Sequence, residues 1–272
     1  MRIPEKVMMF IGFCNSNVTN QNDYVISSSI IRRIVKDEDL AIESVSEESN
    51  ISQASISRFI RKVGFDNWSD FKECCSGSCK EMIQKRLLFL DTKRQSIQNT
   101  KDSIYANALV NIKATYTVFD EDKITLVLSL IDKASEVIFM GDEHALSIFY
   151  TLQLDINFTG KPAFLYKNES IQENIPHRCK EDSLIIFISV ENNFIIPSIV
   201  DTLNRVKEKH GTILLLTQQD ATDLIPYDYQ IKYGVKNTVN DGYYSLFYIS
   251  QLLSDIIVNS VLSKSESDFQ QR

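Results

Sequence analysis

The sequence predicts two parts, a small all-α domain followed by an α/β domain built on a parallel sheet. Two observations predict this. Between Asp23 and Cys75 apolar residues recur at helical intervals. From Ala134 onward, short continuous apolar runs alternate with helical patterns, the rhythm of strands covered by crossover helices. At 272 residues, with 43% hydrophobic and 24% charged, the chain can build two modest cores and does not read as disordered.

The first helix is expected over Asp23–Val35, where Val25, Ile26, Ile30, Ile31 and Ile34 fall at helical spacing. A short second helix is expected over Ile42–Glu48, with a break at Ser49-Asn50-Ile51. Ser52 then stands as an N-cap. Ile56, Phe59, Ile60 and Val63 fall at i, i+3, i+4 and i+7, and Gly64 closes the helix. This is a helix-turn-helix pattern. With that stripe buried, Ala54, Ser55, Arg58, Arg61 and Lys62 point outward, flanked by Gln53 and Ser57. Small residues at the helix start allow close approach to base edges. Gln and Arg can pair with adenine and guanine, and Arg61 and Lys62 suit phosphates. A solvated helix face is the plainer alternative. Asn67–Cys75 should seal the small core, with Trp68 as a core aromatic rather than a base-stacking one.

A polar stretch follows, read as a partly helical connection. Two helical patterns, Tyr105–Phe119 and Glu121–Lys133, lead into a strand ending at Gly141. Next come a helix over 145–158, a strand at 163–166, a short helix near 170–174 and a strand over 183–190. A helix over 196–209, a strand over 212–217, a short helix at 222–225 and a strand over 229–232 complete the alternation. The LIIFI run in the 183–190 strand is apolar throughout, as expected of a strand covered on both faces. The last helix spans about 243–262. Leu246, Ile249, Leu253, Ile256 and Ile257 lie on one side of it, and its surplus apolar content predicts a partner surface.

The net charge of −7 argues against a protein that coats nucleic acid nonspecifically, but not against a local basic face. Cysteines at 14, 74, 75, 79 and 179 form no disulfide ladder, and the Cys74-Cys75-x3-Cys79 cluster lacks a partner motif; reduced thiols are expected. No targeting or membrane-spanning run is present, so the expected compartment is the cytoplasm. No cofactor or metal is expected.

The run ISQASISRFIRKVGFDNWSDFK (Ile51–Lys72) closely resembles the signature of MurR/RpiR-type bacterial transcriptional regulators, without a gap. The resemblance implies operator binding by Ser52, Gln53, Ser55, Ser57, Arg58, Arg61 and Lys62. It implies domains at 1–80 (helix-turn-helix) and 101–272, joined by a linker at 81–100. The second domain would be a sugar-isomerase (SIS) domain with a flavodoxin-like parallel sheet, ligands binding at the carboxyl ends of its strands. The implied partners are double-stranded operator DNA with an inverted repeat, a second copy of the chain in a homodimer or tetramer, and a carbohydrate-derived effector. No membrane is implied.

In that family two loops cradle a sugar phosphate, usually G-x-G-x-S and S-x-S-G-x-T. Here the first reads Gly141-Asp142-Glu143-His144-Ala145 and the second Ser189-Val190-Glu191-Asn192-Asn193-Phe194. The ligand candidates are therefore Gly141, Asp142, Glu143, His144, Ser189, Glu191 and Asn192. Carboxylates in an anion cradle are electrostatically wrong for phosphate. Two readings follow: a cationic or otherwise unusual effector, or a domain kept for dimerisation alone. A SIS-type sugar-phosphate isomerase or lyase is the enzymatic alternative, with Glu143, Glu191, His144 and His177 as its only acid–base candidates. No coherent pair with a phosphate anchor emerges from them, so no catalytic residue is expected.

Overall fold

In the computed structural model the chain divides into two compact units, 1–93 and 94–272. The residues described are 10–15, 18, 20–36, 38–75, 96–141, 143–167, 169–190, 195, 197–220, 224–235 and 239–270.

The first unit is all-α. A helical segment at residues 10–15 precedes α1 (Gln21–Lys36), α2 (Ile42–Ser49), α3 (Gln53–Val63) and α4 (Trp68–Cys75). Their apolar stripes close one core around Phe10, Ile30, Val45, Ile56, Ile60 and Phe71. Phe71 sits at its centre, with ring centroids 5.3 Å from Phe10, 5.1 Å from Phe65 and 5.3 Å from Trp68. The Trp68 indole N–H donates to the Leu40 carbonyl at 3.0 Å, so the side chain is a half-buried core aromatic, as the pattern implies. Arg33 ties α1 to α2 by donating to Glu48 at 3.0 Å and to the Asp39 carbonyl at 3.1 Å.

The second unit opens with α5 (Ile97–Val118) and α6 (Glu121–Lys133). The sequence places the start of α5 near Tyr105; instead Ser96 caps it, accepting from the Asn99 N–H at 3.2 Å, so one helix of 22 residues forms. Then follow β1 (Val137–Gly141), α7 (Glu143–Ile148), α8 (Tyr150–Phe158), β2 (Ala163–Leu165), α9 (Glu169–Glu173) and α10 (Ile175–Arg178). The unit continues with β3 (Leu184–Ser189), α11 (Pro197–Glu208), β4 (Thr212–Thr217), β5 (Tyr229–Lys232) and α12 (Val239–Gln270). The helix expected over 145–158 breaks at Phe149 into α7 and α8, and α10 is an element the sequence did not announce. Of the short helix expected at 222–225, residues 222 and 223 lie outside the described residues, and Ile225 is buried.

The five strands are parallel in the order β2-β1-β3-β4-β5. One face packs under α5, α6, α8 and α12 through Phe139, Ile186, Leu214, Leu152, Ile249 and Leu253; the other packs under α10 and α11 through Ile185, Phe187, Ile175, Ile199 and Leu203. Burial on both faces is the physical reason β3 reads as an unbroken apolar run. In this order the crossovers from β1 and β3 leave toward opposite edges, which makes the gap between their carboxyl ends the topological switch point.

Candidate nucleic-acid interface and effector pocket

Two residues in left-handed backbone bound α3. Asn50 (φ 55°) turns the chain out of α2, and Gly64 (φ 114°) ends α3 with its N–H on the Arg61 carbonyl at 3.1 Å. Between them Ser52 caps α3 from an extended conformation, its hydroxyl accepting from the Ser55 N–H at 3.4 Å. Ile56, Phe59, Ile60 and Val63 are buried, which fixes the opposite face outward.

Gln53, Ala54, Arg58, Arg61 and Lys62 are exposed, while Ser55 and Ser57 are partly buried. Ser52, Ser55 and Arg58 form a linked ridge along the helix: the Ser52 and Ser55 hydroxyls lie 3.1 Å apart, and Arg58 Nη2 donates to Ser55 Oγ at 3.0 Å. The guanidinium is thus held over the first turn with its remaining donors outward. The Arg61 side chain makes no hydrogen bond or ion pair among the described residues. Lys62 differs, because its Nζ lies 2.7 Å from Asp23 Oδ2 on α1 and 5.8 Å from the centroid of the Phe13 ring. Asp23 is a neighbour that sequence spacing did not reveal, 39 residues away along the chain.

At the switch point, Gly141 pairs with Ile188, which brings Ser189 beside the end of β1. Gly141 has φ 148°, and a Cβ there would stand 2.3 Å from the Ile188 carbonyl oxygen. Ser189 is buried, and its hydroxyl has no hydrogen-bond partner among the described residues. His144 is exposed, its ring 6.4 Å from that of Tyr243, and His177 is exposed on α10. Asp142, Glu191 and Asn192, and the side chain of Glu143, lie outside the described residues. One residue missed by sequence reasoning stands here. Gln172 is fully buried; its amide nitrogen donates to the Gly141 and Tyr166 carbonyls at 2.9 and 2.8 Å, and its oxygen accepts from the Gly141 N–H at 3.2 Å. It serves the end of β1 as a strand would, beyond the reach of the three-residue β2. A single glutamine in a polar stretch carries no sequence signal for that role.

Among the described residues no cluster of His, Cys, Asp or Glu could hold a metal ion, and no helix is long and apolar enough to cross a membrane. Cys14, Cys74, Cys75 and Cys179 form no disulfide among the described residues. Cys79 lies outside the described residues.

Comparison with known proteins adds to this geometry. No family model matches the sequence. An uncharacterised HTH-type transcriptional regulator of Clostridium perfringens is 24% identical over 235 residues, 84% of this chain and 82% of its own. The Vibrio vulnificus NanR protein, solved in complex with ManNAc-6P, superposes with a TM-score of 0.50 at 14% identity, covering 97% of this chain and 94% of its own. The sugar isomerase domain of an RpiR transcription factor from Sphaerobacter thermophilus gives 0.51 at 16% identity, covering 63% of this chain and 96% of that domain. These likenesses show the fold alone: a helical unit followed by a parallel α/β unit of the sugar-isomerase-domain kind. The SIS architecture also serves enzymes: a phosphoheptose isomerase from Francisella tularensis gives 0.52 at 12% identity, covering 61% of this chain and all of its own.

Proposed function

We propose that this chain is a cytoplasmic, DNA-binding transcriptional regulator of carbohydrate or amino-sugar metabolism. The observation that carries the reading is the Ser52–Ser55–Arg58 ridge, set outward on a capped helix whose opposite face is buried. Ser52 and Gln53 enter the major groove with the helix N-terminus. Ser55, Ser57 and Arg58 meet bases or the adjoining phosphates, and Arg61 meets the backbone, with Lys62 available to it only once released from Asp23. The chain acts as a homodimer or a dimer of dimers on an inverted repeat. Its half-sites are spaced by one helical turn, roughly 34 Å, or a multiple of it.

The SIS domain supplies dimerisation and an effector pocket at the switch point. The buried hydroxyl of Ser189, partnerless among the described residues, supports a small carbohydrate-derived effector there. The NanR relative was solved with a phosphosugar, which supports the same class. Isomerase or lyase chemistry is the enzymatic alternative; of its acid–base candidates, His144 and His177 are both exposed, and turnover of a sugar phosphate by the purified chain would favour it.

The test is titration of the full chain against duplexes selected from a random pool, at fixed salt. Arg58→Ala should weaken the selected site by about 1–3 kcal/mol and relax preference at one base position. Unchanged affinity and preference remove Arg58 from the interface.

A further inference from the structure

The three cations of α3 are held in three different ways. Lys62 lies against the Asp23 carboxylate at 2.7 Å, and that partner offsets its charge. The Arg61 side chain, exposed on the same helix, has no such partner among the described residues. Arg58 is tethered without being neutralised, because its Nη2 donates at 3.0 Å to a hydroxyl, that of Ser55. Ser55 is fixed in its turn. Its Oγ lies 3.1 Å from Ser52 Oγ, and its N–H donates to that same oxygen at 3.4 Å. Ser52 is the N-cap of α3. The tether therefore runs from Arg58 back to the cap, the direction in which helical side chains lean. It holds the guanidinium close to one turn nearer the helix N-terminus than its own Cα.

We infer that Arg58 reads a guanine in the operator half-site and that Ser55 is its positioning residue, in addition to any contact of its own. Guanidinium geometry carries the first part. The group has two pairs of parallel N–H donors, along its Nη1–Nη2 and Nε–Nη2 edges, and the pairs share no proton. One bond from Nη2 to Ser55 uses one N–H, so one pair stays whole. A parallel donor pair fits the O6 and N7 acceptors of guanine in the major groove. Phosphate oxygens accept such a pair too. The tether, however, holds Arg58 over the N-terminal turn, whose residues face base edges when a recognition helix docks. Ordering carries the second part. A free arginine gives up rotamer freedom to make a two-pronged contact, a cost equivalent to about 2- to 10-fold in affinity. The Ser52–Ser55 link orders this one before DNA arrives.

This deepens the DNA-binding reading of the proposed function and rests on it. The full chain is titrated by fluorescence anisotropy, at fixed salt, against a duplex selected from a random pool and against versions altered at each guanine. At one guanine, replacement by adenine should weaken wild-type binding about 5- to 150-fold. Replacement by 7-deazaguanine, which lacks N7, should reproduce part of that loss while leaving the protein unaltered. Arg58→Lys keeps the charge but not the fork, and should lose the preference. Ser55→Ala should lower the guanine-over-adenine ratio about 2- to 10-fold, with unchanged circular dichroism. Ser55→Thr restores the hydroxyl and should recover the ratio. A selected duplex in which no guanine N7 matters overturns the inference and leaves DNA binding standing. A folded Ser55→Ala with the wild-type ratio does the same for the role of Ser55, and Arg58→Lys with the wild-type ratio does so for Arg58. If the pool yields no bound duplex, the DNA-binding reading falls and takes this inference with it.

Discussion

Removing the Asp23 carboxylate as Asp23→Asn tests how many cations α3 has available for phosphate as the proposed recognition helix. Asp23 Oδ2 accepts from Lys62 Nζ at 2.7 Å and from Asn20 Nδ2 at 3.0 Å. The side chains are 14% and 49% exposed for Asp23 and Lys62, so the pair is half in solvent and screened. Its loss should cost less than about 1 kcal/mol of stability. The effect on DNA is larger in kind. A lysine held by a carboxylate releases no counterion on binding, whereas a freed one adds about 0.9 to the slope of log affinity against log salt. Between 50 and 200 mM salt that extra contact is worth about a 3.5-fold steeper loss of affinity. Fluorescence anisotropy over a salt series would compare wild type, Asp23→Asn, Lys62→Ala and the double variant. Asp23→Asn should be steeper by nearly one, and the double variant should match Lys62→Ala, itself close to wild type. If Asp23→Asn leaves the slope unchanged, or Lys62→Ala alone removes a full unit, Lys62 already serves phosphate and the reasoning fails.

Two further predictions concern the cores. Phe71→Ala removes the fully buried ring that Phe10, Phe65 and Trp68 enclose, and should cost about 3–5 kcal/mol. Calorimetry should then show the first unit's transition lowered or lost while that of the second unit stays. Gly141→Ala sets a Cβ 2.3 Å from the Ile188 carbonyl oxygen. It should destabilise the second unit by on the order of 1–3 kcal/mol, read by chemical denaturation; an unchanged midpoint would mean that β1 can yield there without cost.

The helix-turn-helix was legible because each of its determinants is local. A serine cap, an apolar stripe at helical spacing and a glycine stop act within one or two turns, so α3 forms where the pattern places it. The parallel sheet was legible for a related reason, since strands covered on both faces must be apolar throughout. Helix starts were less legible. α5 begins eight residues before Tyr105 because Ser96 caps it, and the residues between bury little that a periodicity could show.

Which outward cations stand unengaged depended on tertiary structure, because Asp23 reaches Lys62 across 39 residues of chain. The same holds for Gln172, whose role exists only because β2 ends before β1 does. The sequence by itself determined the two-part architecture and the residues that α3 presents. The fold alone decided which apolar residues remain in solvent. Leu246, Ile249, Leu253 and Ile257 of α12 form the expected stripe, yet they are spent on the chain's own core. The surface left over belongs to Phe247 and to the outward sides of α5 and α8. Periodicity names a face, and packing decides whether that face meets the core or solvent.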